Sequence, residues 1–230
     1  MFGYRKTKNK ATGLMFDDDA RGVLRGLPMQ AQSVTPEPSF FAPNKIDHRE
    51  LCIPTDNQEN TPFCTAYATA GYIEIKHWQK KHFPKQYPAI DIYAETKRID
   101  GYKGDGSWVK FAVEATKNMG LIKGVVKQVP PTIKGVKFAI LEYGACIASF
   151  EITNEWNRVS TKTGAIANYG FNSKLIGGHA VLCCGYSKKG VYIQNSWGKK
   201  WGHWGFGILS WGQFARQFKS GIVIEGIEIL

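Results

Sequence analysis

Three residues of this chain could together carry out nucleophilic catalysis: Cys64, His179 and Asn195. Cys64 closes the loop Asp56-Asn-Gln-Glu-Asn-Thr-Pro-Phe63 and opens the run Thr65-Ala-Tyr-Ala-Thr-Ala-Gly-Tyr-Ile-Glu74. Thr61 is the expected N-cap, with Pro62 at the first helical position, where a missing N–H costs nothing. That places Cys64 in the first turn. A helix N-terminus stabilises negative charge, so a thiol there is biased toward the nucleophilic thiolate. From Ala66 to Trp78 apolar residues fall on nearly every face, the pattern of a buried central helix. The competing reading of Cys64 alone is a small buried core residue, as most free cysteines are.

The partners come from the second half of the chain. Gly177-Gly-His179-Ala-Val-Leu-Cys-Cys184-Gly-Tyr186 reads as a buried strand opened by a histidine. Ser187-Lys-Lys-Gly190 is a hairpin turn and Val191-Tyr-Ile-Gln-Asn195 the returning strand. Opposed residues in an antiparallel pair have a constant index sum. With the turn centred near residue 188, Asn195 opposes roughly residue 181. His179 is then a diagonal neighbour on the adjacent strand, at ~7–8 Å. A histidine held by a neutral amide and facing a helix-end cysteine is a nucleophilic set. His179 by itself would be read as structural.

The rest of the chain must position these groups. Tyr87 to Ile99 carries a short second helix, expected from Glu95. Gly101-Tyr-Lys-Gly-Asp-Gly106-Ser-Trp108 is a glycine-rich turn into a third helix, with Val109, Ala112, Val113 and Met119 on one stripe and Gly120 ending it. The glycines of that turn would let a substrate backbone approach closely; the plainer reading is only a helix start. Strands are expected at Ala145 to Ile152 and Phe206 to Leu209. Helices come first and antiparallel strands second, an α+β chain with two lobes. Residues 1–45 differ, with Pro36, Pro38 and Pro43 favouring an extended segment. Leu24, Leu27, Phe40 and Phe41 are candidate docking points; a solvated tail is the alternative.

Taken together, these motifs resemble the papain-like cysteine peptidases, over Asp47 to about Leu209. Asp47-His-Arg49 resembles the family's Asp-Trp-Arg. Gln58 stands before Cys64 at the spacing of the family's oxyanion-hole glutamine. Gly178-His179-Ala-Val-Leu with Gly185-Tyr186 resembles its histidine strand. Asn195-Ser-Trp-Gly-Lys-Lys-Trp-Gly-His-Trp-Gly205 resembles its asparagine motif, the most specific of the four. His179 and Asn195 follow Cys64 at or just short of the ~130–150 residues usual there, so the resemblance is to a compact member. Cys64-Thr-Ala66 is similar to a non-animal branch. Glu59 stands where the family has glycine, and Thr61 where it has a disulfide cysteine.

The resemblance implies a papain-like fold over 46–230 and a thiol-dependent endopeptidase made as a zymogen, with residues 1–45 as propeptide or blocking segment. It implies that Gln58 and the Cys64 N–H hold the oxyanion. Gly106, Ser107, Gly178 and Trp197 lie at its substrate-binding and shielding positions. An amidase or transferase acting on non-protein amides, or a silent binding module, are the alternatives. No cofactor, zinc spacing or other metal set is expected.

Composition bounds the partners. With 30 Lys and Arg against 19 Asp and Glu, the net charge is +11. The basic residues are scattered rather than clustered, so a solvated surface is favoured over nucleic acid. At 43% hydrophobic and 21% charged, the chain is globular. Polypeptide substrates, a monomer, and no membrane span or secretory leader are expected, which leaves a cytoplasmic location as the default. Five cysteines without the family's bridges fit a reducing compartment.

Overall fold

The computed structural model describes residues 13–16, 32–37, 39–54 and 56–230. The first lobe is helical. Helix α1, Cys64–Lys81, is buried from Cys64 through Ile75 except at the half-buried Tyr67, and it packs against both the other helices and the sheet. Helices α2, Ala89–Asp100, and α3, Val109–Asn118, pack on it and on each other. Helix α2 is longer than the sequence led us to expect. It begins directly after Pro88, because Ala89, Ile92, Tyr93 and Thr96 already form one buried stripe.

The second lobe is a sheet of seven strands, all paired antiparallel. These are β1, Ile46–Asp47; β2, Ile122–Val129; β3, Cys146–Thr153; β4, Leu175–Ser187; β5, Gly190–Gln194; β6, Phe206–Ser210; and β7, Phe218–Ile229. Their order is β2-β7-β3-β4-β5-β6, with β1 added to β4. Helices α4, Ile133–Tyr143, and α5, Trp211–Gln217, pack against this sheet. The expected α+β architecture is therefore the observed one. The hairpin register also holds: Leu182 faces Gln194 and Cys183 faces Ile193. A bulge at Cys184 absorbs one residue before the turn.

Part of the N-terminal segment is built into this body. Ser33 bridges to Gln128, Val34 donates to the Gln128 carbonyl, and the Val34 side chain is buried. Phe40 meets the ring of Phe138 edge-on at 5.1 Å. Phe41, expected as a docking point, is instead 88% exposed and anchors nothing. Leu24 and Leu27 lie outside the described residues. All five cysteines are unpaired. Among the described residues no helix is long and apolar enough to cross a membrane.

Candidate active site

The end of α1 departs from the expected cap. Thr61 does not cap it: its hydroxyl donates to the Gln58 carbonyl, while the Gln58 amide donates to the Thr61 carbonyl at 2.7 Å. The reciprocal pair tightens the loop, so the helix starts later, at Cys64, with Phe63 as its N-cap. Cys64 is thus the first helical residue, and Pro62 lies outside the helix. The backbone N–H groups of Cys64 and Thr65 point at the sulfur. A third N–H, from Ala180, reaches it across the interface with β4. Ala180 directly follows His179 on β4.

His179 lies on β4 opposite Phe150 and is fully buried. Its Nε2 is 2.7 Å from Asn195 Oδ1, and the Ser196 N–H also donates to that oxygen at 2.8 Å. An amide oxygen only accepts, so Nε2 carries the proton and the other ring nitrogen, Nδ1, is left with a free lone pair. Nδ1 is buried and has no hydrogen-bond partner among the described residues. Trp197 lies over the imidazole at 4.9 Å, and Trp156 meets it edge-on at 5.9 Å. The two indoles exclude water from the His179–Asn195 bond. Asn195 itself is fixed through its backbone N–H, which donates to Gly205.

Gln58 is buried next to this group. Its backbone N–H donates to the Ser196 carbonyl, and its side-chain oxygen accepts from the Ser196 hydroxyl at 2.5 Å. With the oxygen anchored and one amide hydrogen on Thr61, the second amide hydrogen remains as a donor. The next residue, Glu59, has φ +53°, a left-handed conformation that glycine adopts without strain. That explains why glycine is the natural occupant after this glutamine.

The groove between the lobes is crossed by Gly13–Phe16. Ser107 N–H donates to the Gly13 carbonyl at 2.8 Å, and Met15 N–H donates to the Ser107 carbonyl at 2.9 Å. Leu14 and Ser107 are paired in parallel. Trp108 Nε1 holds the Phe16 carbonyl at 3.1 Å. A Cβ on Gly13 would come within 2.4 Å of the Pro62 oxygen and 3.0 Å of Cys64 Sγ. On the other lobe, a Cβ on Gly178 would come within 2.6 Å of the Leu14 oxygen. The backbone of this segment therefore touches both walls and lies against the thiol.

Burial under this segment decides the charge state. The Cys64 thiol is pushed up to about 12 by desolvation, which outweighs the three N–H groups that stabilise a thiolate. Desolvation likewise lowers His179 to about 4, with the Asn195 bond opposing it. The covered pair is thus neutral thiol and neutral imidazole, and the helix end alone does not ionise it.

The residues named from the sequence are joined by two sets of contacts. Asn195 and Trp197 touch His179, and Gln58 touches Ser196; Ser107 and Gly178 flank Gly13–Leu14, which lies against Cys64. Sequence reasoning missed three contributors. Ser196 is adjacent to Asn195 in the motif, and the Gln58 spacing gave no hint that the two would meet. Trp156 comes from a short 3-10 turn after β3, and the Ala180 N–H is a backbone group with no side-chain signature.

The neutral histidine has a consequence for stability. His179 binds its proton less tightly folded, at about 4, than at its ordinary value of 6.5. Its contribution is therefore present above pH 6.5 and lost as pH falls through about 4. Thermal unfolding between pH 7 and 4 should lose more stability in the wild type than in His179→Gln, which has nothing to protonate there. Equal slopes for the two proteins would contradict the buried neutral imidazole.

No protein-family model matches the sequence, and no curated protein matches it. Solved structures do. Xylellain, a cysteine protease from Xylella fastidiosa, is similar over 98% of this chain and 99% of its own, with a TM-score of 0.73 and 20% identity. The procathepsin B S9 of Trypanosoma congolense is similar over 94% of this chain and 87% of its own, at 0.69 and 12%. The bromelain protease from Ananas comosus is similar over 80% and 99%, at 0.63 and 18%. Helical lobe, antiparallel lobe and the groove between them thus make up a papain-like fold.

Proposed function

We propose that this protein is a thiol-dependent endopeptidase that acts through Cys64, His179 and Asn195, and that Gly13–Phe16 holds it inactive. The observation that carries the reading is the 2.7 Å bond from His179 to Asn195 beside a sulfur at the start of α1. A buried core cysteine would need neither the oriented imidazole nor the three converging N–H groups.

With the groove open to water, desolvation falls, so the thiol's proton affinity drops and that of the imidazole rises. His179 Nδ1 then takes the Cys64 proton, and Asn195 keeps the ring aligned. The thiolate attacks a peptide carbonyl. The Cys64 N–H and the second amide hydrogen of Gln58 stabilise the oxyanion, with Ser196 fixing the amide's orientation. His179 returns the proton to the leaving amine, and water hydrolyses the thioester. A cavity of about 110 Å³ beside Phe16, lined by Trp108, Val109, Ser149 and Ile222, would take a substrate side chain.

The occupant of the groove favours peptide over non-protein amides as substrate. Gly13–Phe16 is itself polypeptide and is held by its backbone. A peptide that paired with Ser107 in antiparallel fashion would present its carbonyls in the opposite sense, so the segment would fill the groove without being cut. Tethering gives such a segment an effective concentration of around millimolar, and weak intrinsic affinity is enough. The blocking element is narrower than residues 1–45, because Val34 and Phe40 pack on the body.

Cys64→Ala and His179→Ala should each abolish hydrolysis of a protein substrate, with unfolding transitions that show an intact fold. Turnover by Cys64→Ala would end the assignment. Gln58→Ala should lower the rate by roughly 10²–10³ for one lost oxyanion donor; a wild-type rate would make Gln58 a loop residue only. Deleting residues 1–16 leaves Val34 and Phe40 in place and should accelerate both Cys64 alkylation and peptide hydrolysis. Unchanged rates in the folded deletion protein would show that the segment does not block the thiol.

A further inference from the structure

The Gly106–Ser107 rim pairs with a backbone in the groove, yet no disulfide holds it. It follows a loop with glycines at 101, 104 and 106, and Gly106 itself has φ +86°. Two side chains of α2 secure it. Lys97 Nζ donates to the Gly106 carbonyl at 3.0 Å and pairs with the buried Asp100. From the other side, the Gly106 N–H donates to the Tyr93 hydroxyl at 3.1 Å. The Tyr93 ring stacks on Phe63 with centroids 4.0 Å apart and 28° between planes. Phe63 is the N-cap of α1 and directly precedes Cys64. Tyr93 therefore touches the nucleophile's end of α1 with its ring and the pairing rim with its hydroxyl.

Packing alone would be served by a phenylalanine. The hydroxyl adds a partner for an inward-facing N–H immediately before the residue that makes both pairing bonds. We propose that Tyr93 is a positioning residue. Acting through Gly106, it fixes the distance and register between Ser107 and Cys64, so that a bound polypeptide backbone is held over the sulfur. The Tyr93 hydroxyl is engaged with Gly106. This rests on the reading of the groove as a polypeptide-binding site.

The full chain carries its own reporter, because Gly13–Phe16 pairs with the same rim and covers Cys64. Tyr93→Phe keeps the stack and removes the hydroxyl. Losing one neutral hydrogen bond should weaken pairing and speed iodoacetamide alkylation of Cys64 about three- to tenfold. Hydrogen exchange across residues 101–107 should speed up with it. Met15→Pro removes the Met15 N–H bond to Ser107 and should itself speed alkylation. In the Met15→Pro background, Tyr93→Phe should add less than in the wild type, because one of the two pairing bonds it supports is already gone. A wild-type alkylation rate in Tyr93→Phe would overturn the proposal. So would an equal acceleration in both backgrounds, which would mean that Tyr93 acts on Cys64 through Phe63 alone. If Tyr93→Phe does not fold, exchange of the Gly106 N–H in the wild type is read instead: strong protection is expected, and free exchange would overturn the proposal. Neither readout requires hydrolysis, so a protein without peptidase activity would sink the reading of the site and leave this result standing.

Discussion

The structure depends on one contact, the start of α1 pressed against β4. There the Ala180 N–H reaches the Cys64 sulfur, and His179 is one residue away. The approach requires small residues on the helix. A Cβ on Gly71 would come within 3.3 Å of both Leu182 and Gln194, while Ala66, Ala68 and Ala70 are buried nearby. A helix so placed must be apolar on nearly every side, since the helical lobe covers it from one direction and the sheet from the other. The antiparallel register then carries the placement onward. With His179 fixed against the helix, the hairpin brings Asn195 to its ring nitrogen, and the chain after Asn195 brings Ser196 to Gln58.

Two effects compete at the sulfur. Three N–H groups and a helix end favour the thiolate, and burial favours the thiol. In the covered form burial wins, and both members of the pair are neutral. Under the proposed function, the segment that would stand in the way of a substrate would also withhold the charge separation on which nucleophilicity depends. Removing it would then change access and chemistry together. A small extended stretch such as Gly13–Phe16 suffices because its backbone groups are satisfied by Ser107 and Trp108 rather than by a large apolar interface.

Much of this was legible in the residues. The apolar run after Cys64 announced a central helix, and the index sum across Ser187–Gly190 put Asn195 near His179 before any coordinates. The start of α1 was misplaced because a threonine before a proline looks like a cap. Its hydroxyl was already committed to the Gln58 carbonyl, a contact made by the folded loop and not encoded in the local pattern. The second helix starts directly after Pro88, and its buried stripe begins at Ala89. Phe41 shows the limit of hydrophobicity as a guide, since its neighbour Phe40 found a ring to pack on and Phe41 did not. Tyr93 carried no signal at all, because its role exists only where α2, the glycine-rich loop and the end of α1 meet.

Under the proposed function, Cys64 forms a covalent bond to the acyl part of a cleaved polypeptide. The direct measurement is an acid-quenched reaction of the deletion protein lacking residues 1–16 with a protein substrate, analysed by mass spectrometry. An acyl adduct on the peptide carrying Cys64 is expected, together with new amine termini in the substrate. Cleavage that persists without any adduct, and is equally fast in Cys64→Ala, would contradict it.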